Sequence, residues 1–207
     1  MNKHLNNILK VSLLIAVTIL SKTTLGNQNL LIFGDSLSSG YGISMKNSWP
    51  KLLDNKIKEK QLSLTIINRS ISGETTSGGI RRLPKLLSEF SPSIVIIELG
   101  ANDALRGLSL KQTKKNLTTM VELSKKIGSK PLIVGMRIPP NYGKAYSERF
   151  FNMFGQIAVK TEIPIVPFMF KGFATNKNFF LNDQIHPNEK AQRKILENIW
   201  GELELLL

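Results

Sequence analysis

Leu31-Ile32-Phe33-Gly34-Asp35-Ser36-Leu37-Ser38-Ser39-Gly40, residues 31–40, reads as a buried strand that runs into a tight turn and presents one serine. Leu30, Leu31, Ile32 and Phe33 form a short apolar run of the kind found inside a parallel sheet, and Gly34 interrupts it. The Ser36 hydroxyl is thereby left at the carboxyl edge of the sheet, where open α/β folds place their ligands. A serine in that position is ordinarily a turn residue or a helix cap. It becomes a candidate nucleophile when the chain also supplies a base, a group to orient that base, and donors for an oxyanion.

The scarcity of histidine names the base. The chain has two, His4 and His186, and His4 falls in a segment read below as an export signal. His186 sits in Asp183-Gln184-Ile185-His186-Pro187-Asn188, so one turn of backbone can hold the Asp183 carboxylate against the ring nitrogen that faces away from the serine. A surface turn followed by a helix-starting proline accounts for Pro187 and Asn188 but leaves the Asp183/His186 spacing to chance. Asp35 and Asp103 are rival acids. Asp183 alone is close enough in sequence to be aimed at His186 by local geometry.

Outward from the serine turn, strand and helix alternate. Residues 49–59 place Trp49, Leu52, Leu53 and Ile57 at helical spacing. Residues 62–68 read as a strand, 69–79 as a loop, and 80–90 as a helix with Pro84 in its first turns. Residues 93–99 form the clearest strand, apolar on both faces, so helices must cover both. A helix over 112–127, a strand over 131–137, a helix over 147–161, a short strand over 163–166 and a closing helix over 189–206 complete the pattern. This predicts an α/β fold: a three-layer α/β/α sandwich around a five-stranded parallel sheet with right-handed crossovers.

The polar groups of interest fall where strands end. Asn102 follows the strand that stops at Gly100, so its side-chain amide can reach over the edge and donate to an oxyanion. Gly73 offers a backbone N–H with no side chain in the way. Each has a plainer reading taken singly: Asn102 as a turn former, Gly73 as a positive-φ residue, Asp103 as a helix cap. Glu98, a carboxyl group in an apolar run, reads as an anchor for the loops rather than an acid catalyst.

At 207 residues with 42% hydrophobic content, the chain holds one domain with a real core. Residues 1–26 stand apart. Lys3 and Lys10 flank a polar start, an apolar stretch runs from 11 to 20, and small residues lead to Gly26, which is the pattern of a secretory signal peptide cleaved near Gly26-Asn27. An uncleaved anchor is the competing reading, but the apolar stretch is short of the roughly 20 residues a bilayer requires. The mature domain is then 27–207, exported, with a bacterial periplasmic location implied by the resemblance given below.

There is no cysteine, which excludes thiol nucleophiles, thiolate metal sites and disulfide support. One mature histidine also excludes a histidine-based metal cluster. The formal charge of +13 falls to +10 without Lys3, Lys10 and Lys22. For an exported protein the matching polyanion is an anionic membrane surface or envelope polymer rather than nucleic acid. Lysines scattered for solubility are the alternative, since no basic run exceeds two residues.

Gly34-Asp35-Ser36-Leu37, the glycine of Ser72-Gly73-Glu74-Thr75-Thr76, Gly100-Ala101-Asn102-Asp103, and Asp183-x-x-His186-Pro187 stand in the order of the four blocks of the SGNH (GDSL) hydrolases, and the chain resembles that family. Through Ile71-Ser72-Gly73-Glu74-Thr75-Thr76 and Pro139-Pro140-Asn141-Tyr142-Gly143 it is similar in particular to the bacterial periplasmic acyl-CoA thioesterase I / lysophospholipase L1 / arylesterase group. The resemblance implies the flavodoxin-like fold of the family. It implies Ser36 as nucleophile, Asp183 and His186 as its partners, and Ser36 N–H, Gly73 N–H and the Asn102 amide as oxyanion donors. It further implies acyl-chain contacts from the segments that hold Leu105, Leu108, Pro140 and Tyr142. Ala101 departs from the second glycine often found there in such proteins.

The expected activity is hydrolysis of acyl esters and thioesters, including lysophospholipid, with no cofactor and no metal. A carbohydrate O-deacetylase with the same blocks and a non-catalytic lipid- or glycan-binding protein are the alternatives. No Gly-x-Ser-x-Gly occurs, which argues against the α/β-hydrolase reading. Gly40-Tyr41-Gly42 lacks the third glycine of a dinucleotide fingerprint, and no Walker lysine motif is present.

Overall fold

The computed structural model describes residues 28–207, with the backbone alone for Pro140. The expected signal peptide, 1–26, and its cleavage point lie outside the described residues. The inner strand β1 (Gln28–Gly34) pairs in parallel with β2 (Leu64–Asn68) on one side and β3 (Ile94–Glu98) on the other. Beyond β3 lie β4 (Lys130–Val134) and β5 (Ile165–Val166), giving five parallel strands in the order β2-β1-β3-β4-β5. The chain leaves β1 for one side of the sheet and then returns across it to lay down β3. Loops from the carboxyl ends of β1 and β3 therefore diverge and leave a crevice between them.

Apolar residues on both faces of β1 and β3 explain why these strands are central: Leu30, Leu31, Ile32 and Phe33 are fully enclosed, and so are Val95, Ile96 and Ile97. Helices close both faces. On one, α3 (Thr76–Phe90), α5 (Leu110–Lys126) and α6 (Lys144–Thr161) pack in sequence; on the other, α2 (Trp49–Glu59) packs against α7 (Glu189–Leu203). Two short helices, α1 (Ser36–Ser39) and α4 (Ala101–Leu105), begin where β1 and β3 end.

The main departure from the sequence reading is α3. It starts at Thr76, four residues before the expected helix, so Pro84 lies inside it and not in its first turns. Thr75 caps the helix by accepting from Gly78 N–H. The pair Gly78-Gly79 reads as loop in sequence, yet Gly79 is glycine for contact: a Cβ there would meet Leu99 Cδ1 at 2.7 Å and Phe33 Cε1 at 3.2 Å. That close approach seats α3 on the sheet, while Pro84 faces solvent, where its ring disturbs no packing. The strand expected over 131–137 ends at Val134, and β5 is only two residues long. Residues 101–105, to which the sequence reading assigns no element, are helical.

Candidate active site

Ser36 is the first residue of α1, directly after β1. Asp35 caps this one-turn helix by accepting from Leu37 N–H at 3.0 Å, and Gly40 ends it in the left-handed region at φ +79°. The serine is thus fixed at a strand-to-helix corner, half-buried and open to the crevice.

The segment carrying His186 reaches this corner from the far end of the sheet. An isolated bridge between Phe180 and Pro187 and a hydrogen bond from Leu181 N–H to His186 O at 2.8 Å close the loop. Gln184 takes a left-handed φ of +58° to make the turn. Within it, Asp183 Oδ1 accepts from Ile185 N–H and His186 N–H at 2.9 and 3.0 Å, while Oδ2 faces His186 Nδ1 at 2.7 Å. His186 Nε2 lies 3.0 Å from Ser36 Oγ. Partial burial pushes the Asp183 carboxyl up, but the two backbone N–H groups and the imidazole outweigh it and hold the group below its ordinary range. With a carboxylate at Nδ1 the ring proton belongs there, which leaves the Nε2 lone pair facing the serine hydroxyl. Tyr41 backs the imidazole with ring centroids 4.5 Å apart.

The structure therefore brings Ser36, His186 and Asp183 into one line and leaves the rival acids elsewhere. Asp103 is buried and accepts from Thr76 N–H at 2.9 Å and from the hydroxyls of Thr76 and Thr113, tying α3 to α4 and α5. Asp35 turns to Asn102, whose Nδ2 donates to its Oδ2 at 2.9 Å. Asn102 thus stands over the same corner as Ser36, its amide oriented by a carboxyl group.

Gly73 has φ +76°, and a Cβ there would come no nearer than 3.5 Å to Arg106 Nη2, so backbone conformation rather than crowding calls for glycine. Its loop is tied to the serine corner by Ile71 N–H to Gly34 O at 3.0 Å and by the Ser39 and Ser72 hydroxyls at 2.8 Å. Arg106 Nη2 donates to Gly73 O at 3.0 Å, linking this loop to the end of α4.

Of the side chains expected to contact an acyl chain, Leu105 is half-buried, and Leu108 and Tyr142 are exposed at 42% and 40%. The side chain of Pro140 lies outside the described part of the structure. Sequence reasoning missed Tyr146, whose hydroxyl donates to Ala104 O and Leu108 O at 3.3 and 3.2 Å and so holds the α4 loop. It also missed what Asp35 and Glu98 do together. Glu98 lies opposite Gly34 in the β1/β3 register, and its Oε2 accepts from Ser38 Oγ at 2.7 Å and from Asp35 N–H at 3.3 Å. Among the described residues no group of three or more histidine and carboxylate side chains gathers to hold a metal ion.

This is an arrangement able to activate a hydroxyl for attack on a carbonyl carbon. Comparison with known proteins agrees in kind. Residues 32–194 match the GDSL-like Lipase/Acylhydrolase family. The chain is 40% identical to an arylesterase of Vibrio mimicus, over 89% of this chain and 92% of that one. It is 38% identical to the thioesterase 1/protease 1/lysophospholipase L1 of Escherichia coli K12, over 86% and 84%. A crystal structure of the psychrotrophic esterase EstA of Pseudoalteromonas sp., inhibited by monoethylphosphonate, superposes with a TM-score of 0.82 at 39% identity, covering 86% of this chain and 97% of that one. The chain belongs to the GDSL-like lipase/acylhydrolase family.

Proposed function

We propose that the protein is a serine hydrolase that cleaves acyl esters and thioesters through an acyl-enzyme on Ser36. One observation carries the reading: the continuous line from Asp183 Oδ2 through the imidazole of His186 to Ser36 Oγ, with contacts of 2.7 and 3.0 Å. In acylation, Oγ bonds to the carbonyl carbon as its proton passes to His186 Nε2. The bond to the leaving oxygen or sulfur then breaks, and the leaving group takes that proton. Water repeats the sequence in reverse: it gives a proton to Nε2, attacks the acyl carbon, and Ser36 Oγ departs with the proton. Asp183 holds the ring and offsets its positive charge while it is protonated.

Ser36 N–H, Gly73 N–H and the Asn102 amide are the donors for the oxyanion. Leu105, Leu108, Pro140 and Tyr142 border the path of the acyl chain, and the relatives named arylesterase and thioesterase 1/protease 1/lysophospholipase L1 support aryl esters, acyl thioesters and lysophospholipid as substrates. The apolar stretch before residue 27 and the basic balance of the rest support an exported, periplasmic enzyme able to meet anionic lipid.

The test is hydrolysis of p-nitrophenyl esters of graded length, acyl-CoA and lysophospholipid by residues 27–207, with Ser36→Ala alongside. Activity lost in the variant supports the reading. Equal inertness of two folded proteins overturns it.

A further inference from the structure

Behind the serine corner lies a pair of buried carboxyl groups that the reaction does not consume. Asp35 and Glu98 are 1% and 2% exposed, and among the described residues no Lys or Arg pairs with either. Two unpaired buried negative charges side by side would be strongly unfavourable. Each carboxyl group is a near neighbour of the other and shifts its titration, so a proton on one of them relieves the repulsion. The surrounding donors show which.

Both oxygens of Asp35 face N–H donors, Leu37 N–H on Oδ1 and the Asn102 amide on Oδ2, as a carboxylate requires. Glu98 accepts through Oε2, from the Ser38 hydroxyl and from Asp35 N–H, so Oε1 is the oxygen available to hold a proton. Burial, and then the neighbouring Asp35, push the Glu98 carboxyl well above its ordinary range, in keeping with that assignment. The site was built around this group: a Cβ on Gly34 would lie 2.6 Å from Glu98 Oε2, so the facing strand position is cleared for it.

We infer that Glu98 is a positioning residue for the oxyanion site, acting as a neutral hydrogen-bond donor that fixes the Asp35 carboxylate, which in turn aims the Asn102 amide. The inference rests on the proposed role of Asn102 as an oxyanion donor. One Asn102 N–H is committed to Asp35. The other is then set in direction, and an amide free to rotate would present its oxygen to the developing negative charge part of the time. Pre-aimed donors give the larger electrostatic benefit because they do not reorganise during the reaction.

The experiment is a kinetic cycle of Glu98→Leu, Glu98→Gln, Asn102→Ala and Glu98→Leu/Asn102→Ala, on a p-nitrophenyl ester, with melting curves to establish folding. Asn102→Ala is expected to lower kcat about 10²–10³-fold. Glu98→Leu should lower kcat toward the same range with KM little changed, Glu98→Gln should keep most of it, and the double variant should be no slower than Asn102→Ala alone. Full kcat in Asn102→Ala defeats the oxyanion reading and this inference with it. Loss in Asn102→Ala with full kcat in Glu98→Leu, or additive losses in the double variant, overturns the inference and leaves the oxyanion reading standing. If Glu98→Leu does not fold, Glu98→Gln decides, because its amide supplies the same donor and acceptor without charge. A folded Glu98→Gln that loses as much as Asn102→Ala overturns the role.

Discussion

His186 Nε2 lies 3.0 Å from Ser36 Oγ although 150 residues separate the two in the chain. The contact depends on both ends of the fold: a serine at the carboxyl end of β1 and a loop laid down just before the last helix. His186→Ala removes the proposed base and is expected to lower turnover on the order of 10⁶-fold, as loss of the base does in other serine hydrolases, with an unchanged melting curve. Steady-state kinetics on a p-nitrophenyl ester checks it.

In the proposed mechanism Asp183 acts only through the ring. Asp183→Asn keeps the shape of the turn but replaces the acceptor that fixes the proton on Nδ1, and about 10⁴-fold in kcat is expected to be lost, the scale seen when a triad carboxylate is neutralised. The low folded-state pKa of Asp183 makes its turn acid-sensitive. A carboxyl group depressed in the folded state contributes stability above its ordinary pKa of 3.8, and that contribution disappears as pH falls through the folded value. Relative to wild type, Asp183→Asn should therefore lose less stability at the acid end of a melting series.

The buried pair titrates in the opposite sense. Burial raises Asp35 from 3.8 to about 6 and moves Glu98 well above its ordinary value, so the folded state holds protons that the unfolded chain gives up. The stability associated with those protons is complete below the unfolded pKa and is lost as pH rises through the folded values. Glu98→Gln removes one member of the pair. Its melting temperature should gain on wild type as pH rises above 4.5, the ordinary value of Glu98, and on through the raised folded value, and a pH-independent difference would refute a protonated Glu98.

Gly79 gives a stability test away from the chemistry. Adding a methyl group between Leu99 Cδ1 and Phe33 Cε1 forces α3 off the sheet, so Gly79→Ala is expected to destabilise by about 1–3 kcal/mol in a denaturant titration. The misreading of residues 76–79 as loop has the same cause. Glycine is a poor helix former, and the sequence cannot show that the missing side chain makes room for Leu99 of the facing layer.

By contrast, the strands with two enclosed faces were legible because an unbroken apolar run has few other places to go, as in residues 30–33 and 94–97. Ser36, Asp183 and His186 were legible through the scarcity of histidine and a three-residue spacing. The partnership of Asp35 with Asn102 was not, since it spans 67 residues and depends on the β1/β3 register that sets Gly34 against Glu98. Tyr146 was invisible for a similar reason: it sits on a helix and reaches back 42 and 38 residues to hold the loop after β3.

The central claim is that Ser36 becomes covalently acylated with His186 as its base. A p-nitrophenyl alkylphosphonate, followed by peptide mass spectrometry, tests it most directly. One phosphonyl group on the peptide containing Ser36, with stoichiometric loss of activity and no labelling of Ser36→Ala or His186→Ala on the same timescale, is the expected result. Labelling at another residue, or inactivation of wild type without modification of Ser36, would contradict the account.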